Sequence, residues 1–288
     1  MTKVIELDRL SKKYGRRRGL VGLTLDIERG EVFGFLGPNG AGKSTTLRLL
    51  LDLIRPTGGR AMVLGRDPRT AGPAPRRRVG YLPGDFVVDG RQRVDECLTF
   101  LANLRGGVAR ARIVELAERL DLELDARIGS LSKGNRQKVG LVQAFAHQPE
   151  LLILDEPTSG LDPLVQQEFL AMVREARAAG QTVFMSSHIM SEVERVADRV
   201  GIIREGGWSR WTRWPACVSG RCGKCGSPSP RRWWPSRSSR CPEWTTWRWR
   251  GGRCVAAWWA VRTRCSRRSP GTPWSTCSAR NPTWKSSS

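Results

Sequence analysis

Two short stretches carry residue types that can do phosphate chemistry. GPNGAGKST, Gly37 to Thr45, fits the phosphate-loop pattern G-x-x-x-x-G-K-[ST]. Gly37, Gly40 and Gly42, with Asn39 among them, let backbone N–H groups turn inward around phosphate oxygens, and a following helix adds the positive end of its dipole. Lys43 would neutralise the β and γ phosphates of a nucleotide, while the hydroxyls of Ser44 and Thr45 follow it, Ser44 being placed to ligate Mg²⁺. Further along, LLILDE ends in Asp155 and Glu156. Asp155 would hold Mg²⁺ through its water shell, and Glu156 is suited to orient or deprotonate an attacking water. An acidic pair that merely ends a strand at the surface is the plain alternative, and the upstream phosphate loop weighs against it. Taken alone, the loop specifies nucleotide binding and not which enzyme.

These residues must be positioned by strands and helices. KVIELDRL and LVGLTLDI alternate apolar and polar residues, the period of half-buried antiparallel strands. EVFGFLG is a nearly continuous apolar run that stops at Gly37, and TLRLLLDLI after Lys43 has a helical pattern. LLILD and TVFMSS (Thr182 to Ser187) have the composition of fully buried parallel strands, with a helical stretch from Leu164 to Ala179 between them. A mostly helical insert spans roughly 86–147. Within it, Val94, Leu98, Leu101 and Leu104 are expected on one helical face, and Ile113, Leu116, Ala117 and Leu120 on another.

Three further motifs narrow the reading. LSKGNRQKV, Leu131 to Val139, places Ser132 and Gly134 at a helix start; SGLD, Ser159 to Asp162, follows the carboxylate pair; and His188 comes directly after the strand TVFMSS. Together with Tyr14 in KKYGRRRGL, their order resembles the nucleotide-binding domain of ABC transporters over essentially all of residues 1–207. The fold implied is α/β, a phosphate-loop NTPase core with an antiparallel β subdomain and a helical signature subdomain. The resemblance implies that Tyr14 stacks on adenine, that His188 hydrogen-bonds the γ-phosphate, and that Ser132, Gly134, Asn135 and Asp162 serve the signature and D-loop. LSKGN departs from the family's LSGGQ at Lys133 and Asn135. Because a phosphate cannot touch both its own loop and this distant helix in one compact subunit, the resemblance implies that the signature serves the nucleotide of a second subunit. VGYLPGDF carries Gly84 where the family has a glutamine that touches Mg²⁺, leaving Asp85 or a water as the substitute. YLPG and SKGNRQK are similar to the bacterial subset that pairs with separate export-type permeases.

The net charge of +22 invites a nucleic-acid reading until its distribution is seen. Residues 208–288 hold 17 of the 49 basic residues and one acid, Glu243, whereas residues 1–207 hold 32 basic and 26 acidic residues, a mild +6. All 12 Trp and seven of eight Cys also lie in the tail. CGKC at Cys222 to Cys225 could begin a zinc site, but no histidine and no second CxxC accompany it. The tail lacks helical or strand periodicity and is expected to have no stable fold. Reading the codons for Gly207 to Pro215 one base earlier permits Leu-Val-Ala-Val-Asp-Thr-Val-Ala, a family-like continuation, which points to a shifted frame and loss of the last strand of a hairpin.

The expectation is therefore an ATPase with ATP and Mg²⁺ as cofactors, acting as a head-to-tail homodimer with transmembrane permease subunits at the inner, cytoplasmic face of the membrane. No nucleic-acid partner is expected. A soluble ABC ATPase acting on ribosomes or nucleic acid is the alternative, distinguished by salt-sensitive co-purification with nucleic acid.

Overall fold

The computed structural model describes residues 2–15, 17–204 and 206–213. The alternating N-terminal segments form β1 (Lys3–Tyr14) and β2 (Arg17–Glu28), paired antiparallel with Leu7 opposite Leu25 and Leu10 opposite Leu23. β4 (Gly58–Val63) adds on the other side of β1. The continuous apolar runs form a parallel group: β3 (Val32–Leu36), β5 (Val79–Leu82), β6 (Leu151–Asp155), β7 (Thr182–Ser187) and β8 (Arg199–Arg204). β9 (Gly207–Arg213) returns antiparallel to β8 and bridges to β2 at Val21 and Gly207. The order across the sheet is β4-β1-β2-β9-β8-β3-β7-β6-β5.

Burial on both faces explains why the parallel strands lack alternation. Val32 and Leu36 of β3 face one apolar cluster, whereas Phe33 and Phe35 face the other. The first cluster contains the helical insert, α2 (Val94–Leu104), α3 (Arg110–Arg119) and α4 (Lys133–Phe145), with α5 (Pro163–Ala178). The second lies between the antiparallel strands, α1 (Lys43–Leu50) and the opposite sheet face. There Phe184 packs against Phe33 and Phe35 at ring-centroid distances of 5.8 and 5.4 Å. Truncating such a ring costs about 3–5 kcal/mol. A short helix, α6 (Met190–Glu194), follows β7.

Three expectations are corrected. Leu104 is 60% exposed; the buried face of α2 is Val94, Cys97, Leu98 and Ala102. At 100° per residue that face comes round to position 105, so Arg105 rather than Leu104 turns inward. α1 ends at Leu50, and Asp52 adopts a left-handed φ of 55°, so the apolar run to Ile54 does not continue the helix. The boundary expected at Trp208 falls inside β9, whose backbone pairs with β8 as far as Arg213; the hairpin strand is present. The zinc and folding expectations for the tail beyond Arg213 lie outside the described residues. Among the described residues, no helix is long and apolar enough to cross a membrane.

Candidate active site

The phosphate loop joins β3 to α1 and is clamped from two sides. Gly42, at φ 107°, caps α1, and a Cβ there would lie 2.6 Å from the Gly19 carbonyl of β2. A Cβ on Gly37 would lie 2.5 Å from the Ile203 carbonyl of β8, and Gly206 N–H donates to Ala41 O at 3.0 Å. Glycine is therefore needed at 37 and 42 for close backbone approach. Asn39 and Gly40 are exposed on the crest of the loop, and Ser44 and Thr45 are half-buried in the first turn of α1. Lys43 is only 5% exposed. Its ammonium donates to Gly37 O at 2.6 Å and to Pro38 O at 3.3 Å.

The same ammonium lies 3.0 Å from Glu156 Oε1, while Glu156 Oε2 lies 2.7 Å from His188 Nδ1. Three residues far apart in sequence thus converge because β3, β6 and β7 are neighbours that all end at one edge. Glu156 has a left-handed φ of 49°, a conformation costing about 1–2 kcal/mol in a residue with a Cβ. It is held there by its N–H, which donates to both Ser186 O at 3.2 Å and Ser186 Oγ at 3.1 Å. Beside it, Asp155 is buried, and Ser186 Oγ–H donates to Asp155 Oδ1 at 2.6 Å. Ser186 therefore fixes the Asp155 carboxylate and the Glu156 backbone at once.

Further supports were not identified from sequence. Gln137 of α4 donates through Nε2 to Glu156 O and Pro157 O, each at 3.3 Å. Glu192 Oε2 accepts from Thr158 Oγ1 at 2.8 Å and Ser187 Oγ at 3.0 Å, tying the segment after β6 to the turn that carries His188. The available signal was the pair of serines closing the otherwise apolar TVFMSS, since a hydroxyl at a buried strand end needs a partner.

Tyr14 is 46% exposed, with the Lys12 ammonium 5.3 Å from its ring centroid. A Cβ on Gly19 would lie 2.7 Å from Tyr14 Cε2, and the Gly19 carbonyl abuts Gly42, so the ring sits one residue away from the phosphate loop. The signature residues are engaged elsewhere. Ser132 Oγ accepts from Asn135 N–H at 3.1 Å, capping α4. A Cβ on Gly134 would lie 2.3 Å from Gly160 O, so signature and D-loop backbones touch within the subunit. Asp162 Oδ1 accepts from Val165 N–H and Leu164 N–H, both at 3.0 Å, capping α5. The Val165 N–H bond, with that of Leu164, holds the Asp162 carboxyl below its ordinary range.

Among the described residues no group of three or more His, Cys, Asp or Glu side chains could hold a metal by itself. Asp155, with Oδ2 unoccupied by Ser186, and Ser44 nonetheless fit a hydrated Mg²⁺ whose other ligands come from nucleotide phosphates, the usual mode for that ion.

Comparisons with known proteins place the chain in a family. The family profile described as ABC transporter matches residues 20–159. The chain is 38% identical over 212 residues to the bacitracin transport ATP-binding protein BcrA of Bacillus licheniformis, covering 72% of this chain and 68% of that protein. It is 39% identical over 208 residues to the Nod factor export ATP-binding protein I of Paraburkholderia xenovorans, covering 70% and 68%. A solved ATP-binding subunit of an ABC transporter superposes with a TM-score of 0.67 at 31% identity, covering 73% of this chain and 90% of that one. The ATP-binding cassette MJ0796, solved as a post-hydrolysis dimer with ADP and Pi, shares the fold at TM-score 0.67 and 23% identity, covering 73% and 99%. The chain belongs to the ATP-binding proteins of ABC transporters and is an ATPase of that family.

Proposed function

We propose that two copies of this chain bind ATP with Mg²⁺, close head to tail, and use hydrolysis to drive export through a separate membrane permease. The observation that carries the reading is Glu156 held between Lys43 and His188 at the end of the phosphate loop. Bound Mg²⁺ would draw charge off the phosphate oxygens. Lys43 exchanges its contact with Glu156 for those oxygens. Glu156 Oε1 is then free to orient a water and accept its proton as the bond to the γ-phosphorus forms and the bond to ADP breaks, with His188 steadying the other oxygen. Asp155, fixed through Oδ1, presents Oδ2, and Ser44 its hydroxyl, toward the metal. Tyr14 offers a face for adenine. Ser132, Gly134 and Asn135 begin a helix whose positive end suits the γ-phosphate of the partner copy.

Export is supported by the relatives' names, and a permease contact by exposed apolar side chains outside the phosphate site. Val87 precedes α2, and Phe100 and Leu104 lie one turn apart on it, all more than half exposed. Such a subunit works at the inner face of the membrane. The nucleotide chemistry lies within residues 1–207. No nucleic-acid partner is proposed, because this part of the chain is only mildly basic.

Glu156→Gln tests the assignment. It should keep ATP binding while turnover falls on the order of 100- to 1000-fold, and ATP should then accumulate a dimer visible by light scattering. Native-rate hydrolysis by this variant would remove Glu156 from the mechanism.

A further inference from the structure

Glu156 is held in a backbone conformation that its own sequence opposes. Its φ of 49° is left-handed, and Pro157 follows it, whereas a residue with a Cβ before proline favours extended backbone. Such a conformation persists only where surrounding contacts over-determine it. On the amino side they come from β7, since Glu156 N–H donates to Ser186 O and Ser186 Oγ. On the carboxyl side, Ser159 N–H donates to Glu156 O at 3.1 Å within the local turn. A second bond to that carbonyl comes from α4: Gln137 Nε2 donates to both Glu156 O and Pro157 O, each at 3.3 Å. Gln137 is 2% exposed and lies in the second turn of the helix that Ser132 caps. α4 is a firm base for it, because Val139, Leu141 and Val142 are buried in the apolar cluster on that side of the sheet. An amide that spans two successive carbonyls fixes the turn between them, and the Glu156 side chain leaves that turn toward Lys43 and His188.

The geometry points to Gln137 as a positioning residue for ATP hydrolysis, one that makes the aim of the Glu156 carboxylate depend on α4, the helix that also begins with the signature. Its amide is committed to backbone carbonyls, so it acts through Glu156 and not on nucleotide or water. The inference rests on the proposed role of Glu156 in activating water. A reacting group displaced by about 1 Å can lose about 100-fold in rate, so two bonds to the backbone that carries Glu156 are enough to matter.

The test compares steady-state ATPase kinetics of the full chain with those of Gln137→Met, which fills the same space without a donor, and Gln137→Glu, which keeps the shape and replaces the donor with an acceptor. A melting temperature with ATP present checks that each is folded, and Gln137→Met carries the test should the buried charge of Gln137→Glu prevent folding. In each folded variant kcat should fall on the order of 10- to 100-fold while KM for ATP stays within about threefold. The decisive readout is the double variant. In a Glu156→Gln background, Gln137→Met should lower the residual rate by less than about twofold, because its effect passes through a carboxylate that is already gone. A kcat equal to the parent's, a KM that rises as far as kcat falls, or a full further loss on top of Glu156→Gln would each overturn the inference. Native-rate turnover by Glu156→Gln itself would instead overturn the functional reading, and this inference with it.

Discussion

The phosphate end of the molecule and its signature end use polar side chains in opposite ways. At the phosphate end, Lys43, Glu156 and His188 are joined to one another in a chain of contacts of 3.0 Å or less. At the signature end, Ser132 and Asp162 give their oxygens to the N–H groups of their own helices. The first arrangement is a chemical group assembled within one subunit. The second is a pair of well-capped helix starts. The proposal that a second copy completes the site would account for the contrast, because residues with equally strong motifs then differ in local engagement.

The largest effect that would break this contrast is expected at Ser186, which holds Asp155 and Glu156 together. Ser186→Ala removes a hydrogen bond to a buried carboxylate, a contribution of about 1.5–3 kcal/mol, and turnover should fall on the order of 10- to 100-fold. Steady-state ATPase rates would show this, and an unchanged rate would mean Asp155 and Glu156 are positioned without it. A smaller effect is expected at Asp162. Loss of its cap in Asp162→Ala should cost about 1 kcal/mol of stability, and Asp162→Asn, which keeps an acceptor, should restore most of it in a denaturant titration. If Asp162→Asn is as unstable as Asp162→Ala, the carboxylate does more than cap α5.

A pH-dependent effect belongs to the helical part. His147 accepts at Nε2 from Arg105 at 2.7 Å, and burial, with the Arg105 charge, pulls its pKa down to about 4. Because the folded value lies below the ordinary value of about 6.5, this neutral histidine contributes stability above pH 6.5 that is lost as pH falls toward 4. Thermal unfolding of the parent should weaken through that window, and His147→Gln should flatten the slope there. An identical slope in the variant would assign the acid sensitivity to other groups.

How much of this could be read from sequence follows from what each signal measures. Apolar alternation located β1 and β2, continuous apolar runs located β3, β6 and β7, and the helical period located α3, because those patterns report burial directly. It failed at Leu104, where a leucine satisfied the composition of a helix but not its angle, and Arg105 took the inward place with contacts to Val79 O, His147 and Gln143. The phosphate loop and the Asp155–Glu156 pair were readable because backbone glycines and paired carboxylates at strand ends are local features. Ser186, Gln137 and Glu192 were not, since each acts across strands or helices distant in sequence. β9 was missed because the sequence GWSRWTR does not alternate apolar and polar residues, while its pairing with β8 is made by the backbone.

The most direct measurement mixes two variants, Ser132→Arg and Lys43→Ala, each of which should be inactive alone. In a mixed dimer, Lys43 from the first subunit and Ser132 from the second are both intact, and the proposed arrangement has them face the same ATP. The account predicts that mixing restores ATPase activity in proportion to the mixed dimers formed, with one working site in each. Mixed dimers that are shown to form and yet remain as inactive as either variant would contradict a site shared between two subunits.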